Sequence, residues 1–554
     1  MIIAALYHTQ IYHNKDLRSL AAQNFTRRYP IEPIRGNIYD RLRRPLALNR
    51  FAFHAFLSTN HAFHPQSLKI INKCLVQNEE LKSLIFNNIK KGIQFCLKKN
   101  ITATEVACLR SQQCQKFGIS IQRSNIRHYP ISTLTKRIIG QTSYPNKEDF
   151  TEKKLPPHYL SLPLGLIGHS GLEATHDQAL RGTCGHLQRK INAQGIFIKD
   201  LESLPPQNGE HIFTTLNADL QKKVESVLLT VPAAHAVVMH IPTGQILAMV
   251  SHDQQDNNMK GASNRVISGL FPPGSIFKIV AAYAALAKGE SSFSVFCDGA
   301  FKLGNCTLHC WQNTGHQHTD LNKAIQQSCN IFFYQLGLKI GSSAVIAAAK
   351  KLGLGSLTHV DLPYEVSGIL PHHNPKTYTP YQPWYGADSA MLAIGQGRIA
   401  LTPLQLTQMM ANILRGYSVP PSVLLYKNPP AKVDLGITPA IRNTLRLMLH
   451  HTINQEHGTG YKARIKNDKM LMGGKTSTAQ VAHVQKEKKQ SMLPYALRSH
   501  SIFTGFAPTN QPLLAITVIG EHELWGSGFA AHAAKEILQH ALTLHEKGQL
   551  LAHA

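Results

Sequence analysis

The chain has 554 residues, too many for one hydrophobic core, and its length predicts two to four domains. Hydrophobic residues make up 43%, which excludes a disordered chain, and no segment repeats at a fixed period, which excludes solenoids and propellers. Lys and Arg number 58 against 32 Asp and Glu, a formal charge of +26. No run of five basic residues, basic–aromatic stripe or zinc-finger spacing accompanies that charge, so no nucleic acid is expected; a membrane surface or an acidic wall polymer fits better.

Residues 1–14 carry no formal charge, but only Ile2 to Tyr7 is solidly apolar. A spanning helix needs roughly 20 apolar residues, and a signal peptide needs a basic start and a small-residue cleavage site. Two expectations follow: a soluble chain, or one that begins inside a membrane anchor. Residues 15–50 mix extended and turn signals and include Pro33-Ile-Arg-Gly-Asn-Ile-Tyr-Asp40. Residues 51–160 are rich in Lys and Gln, with helical patches at Leu68–Val76, Glu79–Lys91 and Ala103–Phe117. Residues 161–215 are Gly-rich with strand-like runs at Ile196–Ile198 and His211–Thr214, and Pro205-Pro206 before Asn208-Gly209 reads as a turn between units. A domain boundary is expected near 215.

Beyond it, Leu220–Leu229 has helical spacing. Ala236–Met239, Thr243-Gly244 and Ile246–Val250 read as a hairpin. A helix-rich stretch runs from about 275 to 455, and two strand runs come late, Leu471–Val481 and Leu513–Ile519. Strands at both ends of a helical block predict one antiparallel sheet packed with helices. The fold class expected for the whole is multidomain α/β.

Three short motifs carry chemistry. In Phe271-Pro-Pro-Gly-Ser-Ile-Phe-Lys278, the prolines cannot continue a strand and Gly274 leads sharply into a helix. Ser275 then sits at the positive end of that helix, with Lys278 one turn on along the same face. A lysine of lowered pKa there can take the serine proton. Ser-x-x-Lys alone is a common accident. In Gln327-Ser-Cys-Asn330, Ser328 and Asn330 can turn towards one cavity from a loop, the hydroxyl relaying a proton and the amide holding substrate; a helix N-cap is the bland alternative. In Met472-Gly-Gly-Lys-Thr-Ser-Thr478, a strand brings Lys475 beside Lys278, while Thr476 and Thr478 reach a substrate carboxylate and the Thr478 N–H supplies half of an oxyanion hole. Ser-x-x-Lys, Ser-x-Asn and Lys-Thr-x in this order form the penicillin-recognising set.

Nine cysteines form no disulfide framework. Cys74, Cys96, Cys108, Cys114 and Cys184 are scattered and are expected to be small apolar side chains. Cys297, Cys310, His316 and Cys329 have the ligand types of tetrahedral zinc, and Cys329 lies inside the second motif. Cys306, His309 and His318 compete as ligands, the spacing matches no common zinc finger, and reduced or paired cysteines are the alternative.

The ordered motifs resemble those of class B penicillin-binding proteins, above all the elongation transpeptidases of the penicillin-binding protein 2 group. Pro33–Asp40 with Pro45-Leu-Ala-Leu-Asn49 resembles the family's amino-terminal signature. Gly171-Leu-Glu173 and Pro205-Pro-Gln-x-Gly209 resemble its pedestal. Ile394-Gly-Gln-Gly397, Thr402-Pro-Leu-Gln405 and Phe503-Thr-Gly-Phe-Ala-Pro508 resemble its transpeptidase domain.

The resemblance implies an anchor remnant at 1–14, a non-catalytic pedestal over 15–215 and a transpeptidase domain over 216–554. It implies Ser275 as nucleophile, Lys278 as base, and Ser328, Asn330 and Lys475 assisting. No cofactor is required for the chemistry, and metal ligands in corresponding positions of some members favour a structural zinc. The implied partners are peptidoglycan stem peptides, β-lactams and membrane proteins of the elongation complex, including a polymerising glycosyltransferase. The implied location is the bacterial inner membrane with the catalytic domain in the periplasm, the anchor being cut short in this sequence or by a wrong start site.

One residue departs from the family. Ser477 stands where the third motif usually has glycine, and its Cβ beside the acyl pocket is expected to slow acylation or weaken β-lactam binding. Rival readings are a serine β-lactamase or β-lactam sensor, and a non-catalytic scaffold of the wall machinery.

Overall fold

A computed structural model describes residues 7–13, 15, 25–57, 65–75, 95–132, 134–152, 165–191, 197–255, 263–371, 384–479, 493–524 and 528–551. The chain forms two compact units. One comprises Met1–Ile38, Pro45–Pro130 and Gly140–Ile212; the other comprises Tyr39–Arg44, Ile131–Ile139 and Phe213–Ala554.

The first unit contains β1 (Thr26–Ile31), β2 (Pro45–Leu57), α1 (Pro65–Cys74), β3 (Phe95–Ile101), α2 (Ala103–Ser111), β4 (Ile119–His128), β5 (Gly185–Ile191) and β6 (Phe197–Leu204). Long β2 pairs antiparallel with both β3 and β4, and β5 lies between β1 and β6. Helices α1 and α2 bury Ile70, Ile71 and Leu109 with Leu57, Leu97 and Ile119 of the strands. A capping box between Thr102 and Glu105 starts α2, and the 103–117 patch breaks where Gln113 turns left-handed at φ 48°.

That shared core corrects the reading of two cysteines. Cys74 at the end of α1 and Cys108 within α2 form a disulfide, with Cα atoms 5.5 Å apart, instead of serving as free apolar side chains. Cys96 and Cys114 are free thiols. The expected helix at Glu79–Lys91 lies outside the described residues, as do Val76 and Ile196.

The run from Pro33 and the Gly171-Leu-Glu segment meet in a buried ion cluster. Arg35 lies 2.6 Å from Glu173 and 2.7 Å from Asp177, and Arg127 Nε lies 2.7 Å from the other Glu173 oxygen. Removing one member of such a cluster leaves buried charge uncompensated. Glu173→Ala is expected to destabilise this unit by about 3–5 kcal/mol, read from denaturant unfolding followed by circular dichroism. A change below about 1 kcal/mol would show that the guanidinium groups find other partners.

The second unit contains α3 (Ala218–Leu228), β7 (Ala233–His240), β8 (Ile246–Asp253), α4 (Arg265–Ser268), α5 (Lys278–Ala287), four short strands β9 (Ser294–Cys297), β10 (Ala300–Leu303), β11 (Cys306–His309) and β12 (Gln317–Asp320), then α6 (Asn330–Ile340), α7 (Pro403–Arg415), β13 (Gly473–Ala479), β14 (His500–Ala507), β15 (Leu514–Gly520) and α8 (Phe529–Glu546). The sheet runs β8-β7-β15-β14-β13 with every pair antiparallel. Alternation along β15 sends Ile516 and Val518 into the core with Ile537 and Leu538 of α8, while the Thr517 hydroxyl accepts from Thr407 of α7 on the other face at 2.7 Å.

The expected hairpin is β7–β8. The expected strand at Leu471–Val481 is β13, with Gln480 and Val481 outside the described residues. The stretch after 275 is less helical than its composition suggests. Pairs β9–β12 and β10–β11 interrupt it, the latter turning at Gly304, whose φ of 59° suits glycine. Among the described residues, no single helix is long and apolar enough to cross a membrane.

Candidate active site

Ser275 is delivered by a stiff turn. Pro273 has φ −70°, Gly274 has φ +50°, and the Gly274 N–H donates to the Gly395 carbonyl at 3.0 Å. A 3₁₀ turn over Gly274–Phe277 then feeds α5, which buries Lys278 completely one turn beyond half-buried Ser275. This is the same-face placement that the Ser-x-x-Lys spacing predicts.

Lys278 Nζ donates to the Ser328 carbonyl at 2.9 Å, to Ser328 Oγ at 3.1 Å and to Asn330 Oδ1 at 2.7 Å. Ser328 Oγ lies in turn 3.1 Å from Ser275 Oγ. Ser328 adopts φ +55°, uncommon for a side-chain-bearing residue, and Asn330 is the first residue of α6. The second motif is thus a tight turn into a helix, not an open loop. Its pose is held by the Cys329 N–H on the Ala324 carbonyl (3.0 Å) and by Trp311 Nε1 donating to the Gln327 carbonyl (3.0 Å). Neither Trp311 nor Gly395 was identified as a support from the motifs; the Trp sits one residue after a candidate metal ligand, and nothing in its spacing announces the contact.

Lys475 on β13 is also fully buried, with Nζ 3.2 Å from the Thr476 carbonyl. Desolvation pushes Lys278 down to about 8, opposed by the nearby Cys329 and Cys310 sulfurs. Desolvation, followed by the charge of Lys278, holds Lys475 well below the usual lysine range. Both shifts favour the uncharged amine, and for Lys278 that form becomes substantial near pH 8.

Thr476 turns its hydroxyl to Thr459 Oγ1 at 2.9 Å, and Thr478 is half-buried on the sheet's edge strand. Ser477 packs against Gly274, where a Cβ would collide with its Oγ. That hydroxyl is buried without a hydrogen-bond partner among the described residues. Ser477 therefore packs closely against the turn that carries Ser275, and its hydroxyl leaves room there only for a glycine at 274.

Cys297, Cys310, His316 and Cys329 also converge. Their ligand atoms all lie within 4.8 Å of one another, and all four residues are buried. His316 Nδ1 is 3.4 Å from Cys310 Sγ and 3.7 Å from Cys297 Sγ, while its Nε2 is buried without a partner. The rival ligands Cys306, His309 and His318 are exposed. A shared proton with Cys329 pulls the Cys310 thiol down and pushes Cys329 up. Three sulfurs and the imidazole Nδ1 that faces two of them fit a tetrahedral zinc ion, whose charge would let all three thiols ionise.

Residues 234–540 match the penicillin binding protein transpeptidase domain, and residues 30–214 match the penicillin-binding protein dimerisation domain. The chain belongs to the penicillin-binding protein family. Among curated penicillin-binding relatives, it is 27% identical to the peptidoglycan D,D-transpeptidase MrdA of Escherichia coli K12, over 98% of this chain and 92% of the relative. It is 28% identical to MrdA of Acinetobacter baumannii, over 99% and 86%. Among solved structures, the complex of penicillin-binding protein PBP2 with MreC from Helicobacter pylori superposes with a TM-score of 0.82 at 25% identity, covering 95% of this chain and 99% of that one. PBP2 of Pseudomonas aeruginosa shares the fold, with a TM-score of 0.67 at 24% identity over 93% and 96% of the two chains.

The unpaired Ser477 hydroxyl yields a test within this penicillin-binding domain. Ser477→Ala keeps the Cβ and removes a buried unsatisfied group, so the melting temperature is expected to rise, by the equivalent of about 1 kcal/mol. A fall in thermal scanning would show that the hydroxyl is bonded in solution.

Proposed function

We propose that this chain is a peptidoglycan D,D-transpeptidase that cross-links stem peptides during wall elongation through an acyl-enzyme on Ser275. The observation that carries the assignment of roles is the continuous hydrogen-bonded path Ser275–Ser328–Lys278–Asn330.

With Lys278 neutral, the Ser328 hydroxyl proton passes to Nζ as Ser328 Oγ takes the proton of Ser275. Ser275 Oγ attacks the penultimate D-Ala carbonyl, and the peptide C–N bond breaks. The departing D-Ala amine recovers the proton along the same path. An acceptor amine from a neighbouring stem peptide then attacks the ester, and its extra proton returns through the path as Ser275 leaves. Asn330 holds Lys278 in line. Lys475 with Thr476, Ser477 and Thr478 forms the wall that receives the terminal carboxylate. β-Lactams acylate the same serine, and their ring opening leaves the ester without a departing amine. No cofactor enters these steps.

The residues around the path also suit a structural zinc on Cys297, Cys310, His316 and Cys329. Such an ion supplies no redox or acid–base chemistry; it ties β9 and β12 to the Ser328–Asn330 turn. The assigned domains are a pedestal over 15–215 and a transpeptidase domain over 216–554. The preferred location is the periplasmic face of the inner membrane, alongside membrane proteins of the elongation complex including a polymerising glycosyltransferase. The Cys74–Cys108 disulfide supports an oxidising compartment.

Covalent labelling by fluorescent penicillin tests the nucleophile. The intact chain is expected to label at a rate that climbs with pH towards a plateau above about 8, as Lys278 loses its proton, and Ser275→Ala is expected not to label. Labelling that survives in Ser275→Ala would sink the assignment. For the metal, protein purified without chelator is expected to carry about one equivalent of zinc, lost in Cys310→Ser; less than about a tenth of an equivalent by elemental analysis would end that reading.

A further inference from the structure

A closed polar ring lies at the corner where β7, β8 and β15 end, apart from the proton path. His235 Nε2 lies 2.5 Å from Glu521 Oε1, and an ionised carboxylate only accepts, so a neutral imidazole carries its proton on Nε2. Its Nδ1 then accepts from Ser251 Oγ on β8, 3.2 Å away, while that oxygen accepts the backbone N–H of Arg265 at 3.1 Å. Arg265 Nη1 reaches the same oxygen at 2.7 Å and closes the ring. His235 is fully buried, and Ser251 and Glu521 nearly so. Order and burial resemble a hydrolytic triad, but no reactant can reach Ser251.

The same corner brings His500, Glu521 and His522 within 4.8 Å. There His500 Nδ1 accepts the His522 backbone N–H at 3.1 Å, and Glu521 Oε1 serves two donors.

The ring grips Phe271. The His235 and His500 ring centroids each lie 5.6 Å from that of Phe271, and the Arg265 guanidinium carbon lies 5.4 Å from it. The Phe271 backbone is pinned by two hydrogen bonds with Leu401, at 3.0 and 2.9 Å. Between Phe271 and Ser275 stand only Pro272, Pro273 and Gly274. Two prolines have fixed φ, so this link is stiff and a shift of Phe271 passes to the serine instead of being absorbed.

We infer that His235 is a positioning residue for the transpeptidase reaction: by closing the Ser251–His235–Glu521–Arg265 ring it fixes Phe271, and through the diproline link the place of Ser275 Oγ against Ser328. The inference rests on Ser275 being the nucleophile. Removing the imidazole leaves the Ser251 proton unpaired, leaves Glu521 to Arg265 alone and opens space beside Phe271. A displaced nucleophile acylates slowly even when the ligand still binds.

The experiment is rapid-mixing kinetics with fluorescent penicillin on the full chain, separating the dissociation constant of the first complex from the acylation rate constant. His235→Ala is expected to lower the acylation constant about 10- to 100-fold, with the dissociation constant within about twofold. His235→Gln, which can still donate to Glu521, is expected to recover most of that loss. Phe271→Leu should slow acylation on its own, and the double variant should fall no further than His235→Ala, because both act through one contact. Wild-type acylation by His235→Ala, or losses that multiply in the double variant, would overturn the inference. If His235→Ala does not fold, His235→Gln and Phe271→Leu carry the test: Phe271→Leu acylating at the wild-type rate overturns it. Labelling that persists in Ser275→Ala would instead overturn the nucleophile assignment, a separate and recognisable outcome.

Discussion

The site is organised around a lysine ammonium taken wholly out of water. Burying a charge is costly unless it is met by acceptors, and Lys278 meets three, from two residues of one turn. That demand accounts for features that otherwise look unrelated. Ser328 takes a left-handed backbone, and in that pose it offers Nζ both its carbonyl and its hydroxyl. Asn330 must open α6 for its amide to reach back. The neighbouring Lys475 is in turn held low by its own burial and then by the Lys278 charge.

The sheet's role is to keep this arrangement from relaxing. Strand β13 holds Lys475 and Ser477 at its edge, and Ser477 bears on the glycine before Ser275. At the other end of the same layer, β7, β8 and β15 supply the groups that surround Phe271. The Ser275 turn is therefore braced from two sides, by a strand edge and by a polar ring. Gly395 closes a third side through its carbonyl.

Much of this was legible in the sequence, because the chemistry is carried by local spacings. Ser275 and Lys278 are one helical turn apart whatever the tertiary fold does, and the β7–β8 hairpin is announced by Thr243-Gly244. The convergence of Cys297, Cys310, His316 and Cys329 was also readable, since all lie within one short stretch. What was not readable depends on sheet order. His235 and Glu521 are 286 positions apart and meet only because β7 and β15 are neighbours. The Cys74–Cys108 bond depends on two helices sharing a core across a 34-residue separation. The direction of the Ser477 side chain depended on which face of β13 meets the nucleophile turn, and one-residue alternation cannot tell that in advance.

The disulfide has a consequence for how the chain matures. Any environment oxidising enough to join Cys74 to Cys108 also threatens Cys297, Cys310 and Cys329, whose sulfurs lie within reach of one another. Beside Ser328 and Asn330, a stray bond there would drag the proton path out of line. An oxidant and a metal ion would compete for the same three thiols, and whichever reached them first would set the geometry of the Ser328–Asn330 turn.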